Sequence, residues 1–232
     1  GTKHFYDSPL SVIENSTVPT LNLIKRYSGK VKRFIYASTC EIYADATEQG
    51  LADIPTAEDA PVLFKNSENL RWSYAASKYL GELAIIASKK ENDQDYIILR
   101  YHNIYGEDQV DHFIPEFAER ALQGDLSLHG WKNTRSFCYI DDAIRASNSL
   151  MFCEEAKNKT IHLGNDEETS IKDVAKKILR IMKIEGKLLL KEAPEGSVSR
   201  RCPDISLMKS LIKYQPDFTL EDGLKFALKK YL

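Results

Sequence analysis

The chain has 232 residues, enough for one α/β domain with an appendage and for a sizeable buried core, which excludes a mini-protein or a disordered tail. Hydrophobic residues make up 43% and charged residues 28%, the composition of an ordinary water-soluble globular protein. Lys plus Arg number 32 against 34 Asp plus Glu, a formal charge of -2, so there is no electrostatic footprint for nucleic acid or an acidic membrane surface.

The predicted elements alternate helix and strand, the order of a parallel sheet covered by helices. A helix over about 9–27 carries Leu10, Ile13, Val18, Leu21, Leu23 and Ile24 and ends near Gly29. A strand over 31–38 follows, with small polar residues at its carboxyl end. A long polar segment with Pro55 and Pro61 separates it from a second helix over 73–90, where Leu80, Leu83, Ile85 and Ile86 give the apolar spacing. The run 96–100 is short and nearly continuously apolar, as in a strand buried on both faces. In open α/β sheets, ligands bind beyond the carboxyl ends of such strands.

From Asp111 onward the pattern predicts a helix over 112–123, a strand over 126–129, a strand and helix over 137–152, and a strand over 160–164. Ser170 is expected to cap an amphipathic helix with Val174, Ile178, Leu179 and Met182, Asp173 standing in for the Glu of a capping box. Two short helices, over 207–214 and 220–232, close the chain. No run approaches the roughly 18 to 20 apolar residues of a spanning helix, and the first residues lack the apolar run of a secretory signal, so a cytoplasmic location is expected. Cys40, Cys138, Cys153 and Cys202 form no C-x-x-C pair and the five histidines lack ligand spacing, so reduced thiols and no metal are expected.

Tyr74 and Lys78 stand four apart at the start of the second helix and therefore share one face. A phenol with a pKa of about 10 is a poor base at neutral pH. An adjacent ammonium favours the phenolate and turns such a pair into an acid/base catalyst. Alone, the pattern is more often that of a surface pair. Upstream, however, the first strand ends in Ser38-Thr39-Cys40-Glu41-Ile42-Tyr43, which sets hydroxyls and a carboxylate at a strand's carboxyl end.

Together these segments resemble an extended short-chain dehydrogenase/reductase of the NAD-dependent epimerase/dehydratase family, whose members act on nucleotide-activated sugars. Further matches are Leu99-Arg100-Tyr101-His102-Asn103-Ile104-Tyr105-Gly106, the segment from Thr134 through Arg135 to Asp142, and Arg201-Cys202-Pro203-Asp204. The resemblance implies a Rossmann-like, doubly wound parallel sheet with a smaller C-terminal α/β substrate lobe. Residues 1–105 would be the remaining part of the NAD-binding domain and 106–232 mainly the nucleotide-sugar lobe, with 137–165 partly returning to the first.

It further implies catalytic roles for Thr39, Glu41, Tyr74 and Lys78, cofactor contacts from Asn15, Ser38, Tyr74, Lys78 and His102, and substrate contacts from Asn103, Arg135, Arg201 and Asp204. The nucleotide base would lie near Phe113 and 126–129. Lys78 would hold the nicotinamide ribose and lower the Tyr74 pKa, and the two arginines would clamp the diphosphate, a role suited to a planar guanidinium. A homodimer is implied too, in which helices 9–27 and 73–90 pair with those of a second copy in a four-helix bundle.

The family's glycine-rich turn, which binds the cofactor pyrophosphate at a helix N-terminus, would precede Gly1. This sequence is therefore expected to be a fragment or a truncated protein that binds NAD poorly and exposes the edge of the 34–37 strand. The alternative is a non-catalytic binding or assembly protein that has lost the turn, and the retained Thr39, Tyr74 and Lys78 set weighs against it. Glu41 stands where members that remove water or carbon dioxide place an acid, and it would exchange a proton at the sugar's C5 once C4 is a ketone. Cys40 stands where dehydratases usually place Asp, which leaves epimerisation and dehydration level.

Overall fold

The computed structural model describes residues 4–194 and 196–232. Helices α1 (His4–Asp7) and α2 (Pro9–Tyr27) lead into β1 (Phe34–Thr39), which turns through a 3-10 segment, Cys40–Tyr43, into α3 (Ala44–Glu48). A second 3-10 turn, Leu70–Trp72, enters α4 (Ser73–Asn92), followed by β2 (Tyr96–Tyr101) and β3 (Ile104–Tyr105). Next come α5 (Phe113–Leu122), β4 (Ser127–His129), β5 (Thr134–Ser136), β6 (Cys138–Tyr139) and α6 (Ile140–Phe152). The chain closes with β7 (Lys159–Leu163), β8 (Glu168–Ser170), α7 (Ile171–Ile181), β9 (Leu189–Lys191), β10 (Arg200–Arg201), α8 (Ser206–Ile212) and α9 (Leu220–Ala227).

The central sheet has the order β1-β2-β7 and is parallel throughout. Its middle strand is buried on both faces, as its unbroken apolar run requires. Ile97 and Leu99 pack with Ala143 and Leu150 of α6 and Met208 of α8, whereas Tyr96 and Ile98 pack with Tyr36 of β1, Ile85 of α4 and Ile24 of α2. Burying each such aliphatic side chain stabilises the fold by roughly 1.5–3 kcal/mol. Gly81 lets α4 approach the sheet, because a Cβ there would run into the ring and hydroxyl of Tyr36. A second core joins α5, α7 and α9 through Phe117, Val174, Ile178 and Leu224. Ser170 caps α7 by accepting the Asp173 N–H at 3.0 Å. The shorter Asp reaches only the cap's hydroxyl, at 2.7 Å, rather than its backbone N–H.

Several boundaries differ from the expectation. β1 starts at Phe34, the first residue to face β2 in register, opposite Tyr96. The segment after it, expected as polar loop, is helical over 40–48. α2 runs through Pro19, although proline has no N–H to donate to the Asn15 carbonyl. Residues 134–136 form β5, which pairs in parallel with β10 and antiparallel with β8.

Between α4 and the sheet lies a buried ion pair. Arg100 Nη2 is 2.6 Å from Glu82 Oε2 and Arg100 Nε is 2.9 Å from Oε1, while Ser38 donates a short hydrogen bond to the same carboxylate. Arg100 also donates to the Glu58 carbonyl at 2.7 Å and to the Tyr43 hydroxyl. Removing one member of such a pair leaves an uncompensated buried charge, so Glu82→Gln should destabilise the protein by about 3–5 kcal/mol in chemical denaturation. Replacing both partners by apolar residues, Glu82→Leu with Arg100→Met, should recover much of that loss; equal loss in single and double variants would show that packing, not charge, is at stake.

Candidate functional site

The carboxyl ends of β1 and β2 set out the site. Thr39, the last residue of β1, caps the 3-10 turn by accepting the Glu41 N–H at 3.2 Å, and it pairs in register with Tyr101. Just beyond β2, Asn103 has φ 41, a left-handed conformation that Asn tolerates. Its amide donates to the Ser136 carbonyl at 2.8 Å and its oxygen lies 3.5 Å from Arg201 Nη1. The β5–β10 pairing sets Arg135 opposite Arg201 in register.

Glu41 sits among these cations. Its carboxylate is 2.9 Å from Arg201 and 3.4 Å from Arg71. Burial pushes the Glu41 carboxyl up, but Arg201, Arg71 and Arg135 together outweigh it and hold the group below its ordinary value. Burial and the neighbouring Arg201 bring the Arg135 guanidinium down to about 10. Its nitrogens already donate to the Thr134 and Val198 carbonyls, each at 2.7 Å. Arg201, despite burial, is held above its ordinary value by Glu41. Burial pushes the Cys40 thiol up, so Cys40 is a neutral group in this cluster and not a nucleophile.

Tyr74 opens onto the same cluster from the first turn of α4. Burial raises its phenol pKa, and the neighbouring Thr39 side chain opposes the rise. Phe5 stacks on its ring with centroids 5.3 Å apart and planes 7° apart. The expectation that Lys78 holds the phenol down is corrected here: burial dominates, and Thr39 supplies the opposing interaction. The Lys78 ammonium instead lies 4.4 Å from the centre of the Tyr36 ring, and burial lowers its own pKa against the pull of Glu82. No acceptor among the described residues takes its three N–H groups. One helical turn beyond Tyr74, they suit the hydroxyls of a ribose, so the residues present fit the nicotinamide-ribose end of NAD.

The structure thus brings together Thr39, Glu41, Tyr74, Asn103, Arg135 and Arg201, with Lys78 one turn along. Other expected residues are engaged elsewhere. The Ser38 hydroxyl is committed to Glu82. Asn15 is exposed, because the face of α2 turned to the protein is that of Thr17, about 200° around the helix from it. His102 is only 1% exposed and packs against His162 with ring centroids 4.7 Å apart, its imidazole kept neutral by burial. Asp204 accepts the Ser206 N–H at 2.8 Å, at the start of α8. Phe113, Leu126 and Leu128 pack into the second core rather than around an open base pocket.

Arg71 was not anticipated. Its side chain is 9% exposed, its guanidinium lies 5.4 Å from the centre of the Trp72 ring, and its Nε has no partner among the described residues. The available signal was a cation three residues before Tyr74, on the turn that leads into the same helix.

Because the folded-state pKa of Glu41 lies below its unfolded value, its charge stabilises the protein above about pH 4.3 and that contribution is lost as pH falls through the folded value. Glu41→Gln should therefore be less stable than the parent near neutral pH, and denaturation midpoints should converge on going from about pH 7 to about pH 3. A gap that stays constant over this range would deny Glu41 its charged state.

The family model described as NAD dependent epimerase/dehydratase family matches residues 2–164. Among curated proteins the chain is 32% identical to UDP-N-acetyl-alpha-D-glucosaminuronate decarboxylase of Bacillus cytotoxicus, over 99% of the chain and 73% of that protein. It is 26% identical to UDP-glucuronic acid decarboxylase 1 of Xenopus tropicalis, over 94% of the chain and 51% of that protein. Among solved structures, UDP-glucose 4-epimerase of Thermotoga maritima superimposes with a TM-score of 0.86 at 23% identity, covering 100% of this chain and 74% of that one. UDP-glucuronic acid 4-epimerase of Bacillus cereus, in complex with NAD, gives 0.79 at 24%, covering 93% and 67%. At these identities the structures establish the fold, the Rossmann-like α/β architecture that the family resemblance implies. The enzyme reading stands over that of a non-catalytic assembly protein, and the chain belongs to the NAD dependent epimerase/dehydratase family.

Proposed function

We propose that the protein is an NAD-dependent decarboxylase of a nucleotide-diphosphate hexuronic acid, acting through a 4-keto sugar. The observation that carries this reading is the position of Glu41 between Arg71 and Arg201, on the cluster that Tyr74 faces. With Arg135 counted, three guanidiniums surround one carboxylate, and the surplus positive charge suits a substrate with both a diphosphate and a carboxylate. Arg201, Arg135 and Asn103 form the diphosphate end. Arg71, with an unpartnered Nε, stands at the reacting end and receives the sugar carboxylate. The names of the Bacillus cytotoxicus and Xenopus tropicalis relatives, both decarboxylases of UDP-linked uronic acids, support the same chemistry.

NAD, when bound, supplies the hydride acceptor at C4 and returns the hydride within one cycle. Lys78 holds the ribose. Tyr74, ionised once Lys78 and the positive charge of bound NAD favour its phenolate, takes the C4 hydroxyl proton while Thr39 hydrogen-bonds the same oxygen. A ketone at C4 makes the C5 carboxylate a β-keto acid. When the bond from C5 to the carboxyl carbon breaks, its electron pair passes to the C4 oxygen, where Tyr74 and Thr39 donate to the developing enolate, and carbon dioxide leaves. A proton from solvent then adds to C5 through a water that the Glu41 carboxylate orients, and Tyr74 returns its proton as C4 is reduced. Anchoring the diphosphate fixes the sugar for both halves of the cycle.

The exposed apolar residues Leu10, Ile13 and Leu21 on α2 and Leu80, Leu83 and Ile86 on α4 support pairing with a second copy. No described helix is long and apolar enough to cross a membrane. A cytoplasmic homodimer is therefore part of this reading. So is the division into a cofactor-binding part over 1–105 and a mainly substrate-binding part over 106–232, with 137–165 partly returning to the first.

A form of the protein that binds NAD, incubated with NAD and UDP-glucuronic acid, should release carbon dioxide and yield a UDP-pentose by NMR. Retention of the carboxyl carbon with inversion at C4 would overturn decarboxylation in favour of epimerisation. Tyr74→Phe should lower kcat by at least about a hundredfold and leave nucleotide-sugar affinity within a fewfold, because the hydroxyl acts in the transition state. Arg71→Gln should weaken UDP-glucuronic acid binding by roughly ten- to a hundredfold with UDP binding unchanged, as expected for one charge-assisted contact. Equal weakening of both ligands would remove Arg71 from the carboxylate.

A further inference from the structure

We infer that His162 is a positioning residue: its Nδ1–H holds the Asp204 carbonyl, and with it the short segment that carries Arg201, in place at the end of the sheet. This rests on the proposed role of Arg201 as a diphosphate clamp.

His162 is fully buried on β7. Its Nδ1 lies 3.1 Å from the Asp204 carbonyl oxygen and its Nε2 lies 3.0 Å from the Tyr43 hydroxyl. A carbonyl only accepts, so Nδ1 carries the proton, and Nε2 must accept from Tyr43. The Glu58 carbonyl, 3.1 Å from the same hydroxyl, loses nothing, because Arg100 Nη1 donates to it at 2.7 Å. Donors therefore run in one direction, from Arg100 through Tyr43 and His162 to Asp204. The imidazole is neutral, its pKa brought down by burial to about 4.

The chain that receives this last bond runs between β10 and the buried Ile205 and meets the 53–58 loop on the way. The Thr56 N–H donates to the Cys202 carbonyl at 2.9 Å and the Asp204 N–H to the Thr56 carbonyl at 2.8 Å, so 202–204 is stitched to the 53–58 loop. That loop is itself held by Glu58, whose carboxylate accepts the His162 backbone N–H at 2.9 Å. Both strips of chain thus meet the sheet at His162. Arg201 directly precedes them. Its guanidinium contacts are Glu41 at 2.9 Å and Asn103 at 3.5 Å, and a bound diphosphate competes with the first. What then aims Arg201 is its backbone, held on one side by the β5 pairing and on the other by the segment that follows it. The competing account is that His162 only fills space against the rings of Tyr43 and His102.

Two substitutions separate these accounts. The amide nitrogen of His162→Asn occupies the place of Nδ1 and can still donate to Asp204; that of His162→Gln reaches the place of Nε2 and cannot. Calorimetric titration with UDP should show affinity within about threefold of the parent for His162→Asn and a loss of about tenfold or more for His162→Gln. Circular dichroism should show both folded. Equal losses, or none in either, would overturn the positioning role and leave space-filling. Arg201→Gln is the reference arm: if it leaves UDP affinity unchanged, the clamp role fails and the inference falls with it. Should either His162 variant fail to fold, nitrogen NMR of the parent decides, since a proton found on Nε2 instead of Nδ1 would also overturn the inference.

Discussion

The site depends on one carboxylate. Pairing β10 beside β5 in register brings Arg135 opposite Arg201, and the 3-10 turn into α4 delivers Arg71 to the same place. Such a cluster of largely buried cations is costly by itself: burial first, and then the neighbouring Arg201, depress the Arg135 pKa. Glu41 makes it tenable: its charge is favoured by all three guanidiniums even against burial, and in turn it keeps Arg201 fully charged. The result is a pocket with excess positive charge around one ionised carboxylate, next to a phenol whose ionisation burial opposes.

Behind this lies a second layer of charge that does no chemistry. Glu82 and Arg100 are almost wholly buried, and each additional partner, Ser38, Tyr43 or the Glu58 carbonyl, satisfies a donor or acceptor that burial would otherwise leave open. The layer crosses from α4 to β1, β2 and the 53–58 loop, so it ties together the elements that carry Tyr74, Thr39 and, through His162, the segment of Arg201. Ser38 belongs to this layer and not to the site, which explains how two successive hydroxyl residues on one strand come to have different work: alternation sends their side chains to opposite faces.

The central strand was legible because its pattern is local. A run of apolar residues with no polar interruption suits a strand covered on both faces, and Ile97 with Leu99 on one side and Ile98 on the other bear that out. The amphipathic spacing of 9–27 and 73–90, the Ser170 cap and the four-residue spacing of Tyr74 and Lys78 are local in the same sense. By contrast, β5, β8 and β10 are two or three residues long, too short for any periodicity, and exist because of their partners. Asn15, Ser38, His102 and Asp204 were matched by position in a motif, and a motif says which residues are near a site without saying which way each side chain turns.

What the sequence by itself determined is therefore the order and faces of the long elements, and the residue types gathered at the carboxyl ends of two parallel strands. Those follow from hydrophobic periodicity and hydrogen-bonding chemistry acting over a few residues. Only the tertiary structure decided that Arg71, Arg135 and Arg201 converge on Glu41, that Thr39 rather than Lys78 opposes the rise in the Tyr74 pKa, and that His102 lies buried against His162. Each of these is set by distance and burial between residues far apart in the chain. A carboxylate's pKa, a phenol's partner and an imidazole's exposure have no values until the chain has closed around them.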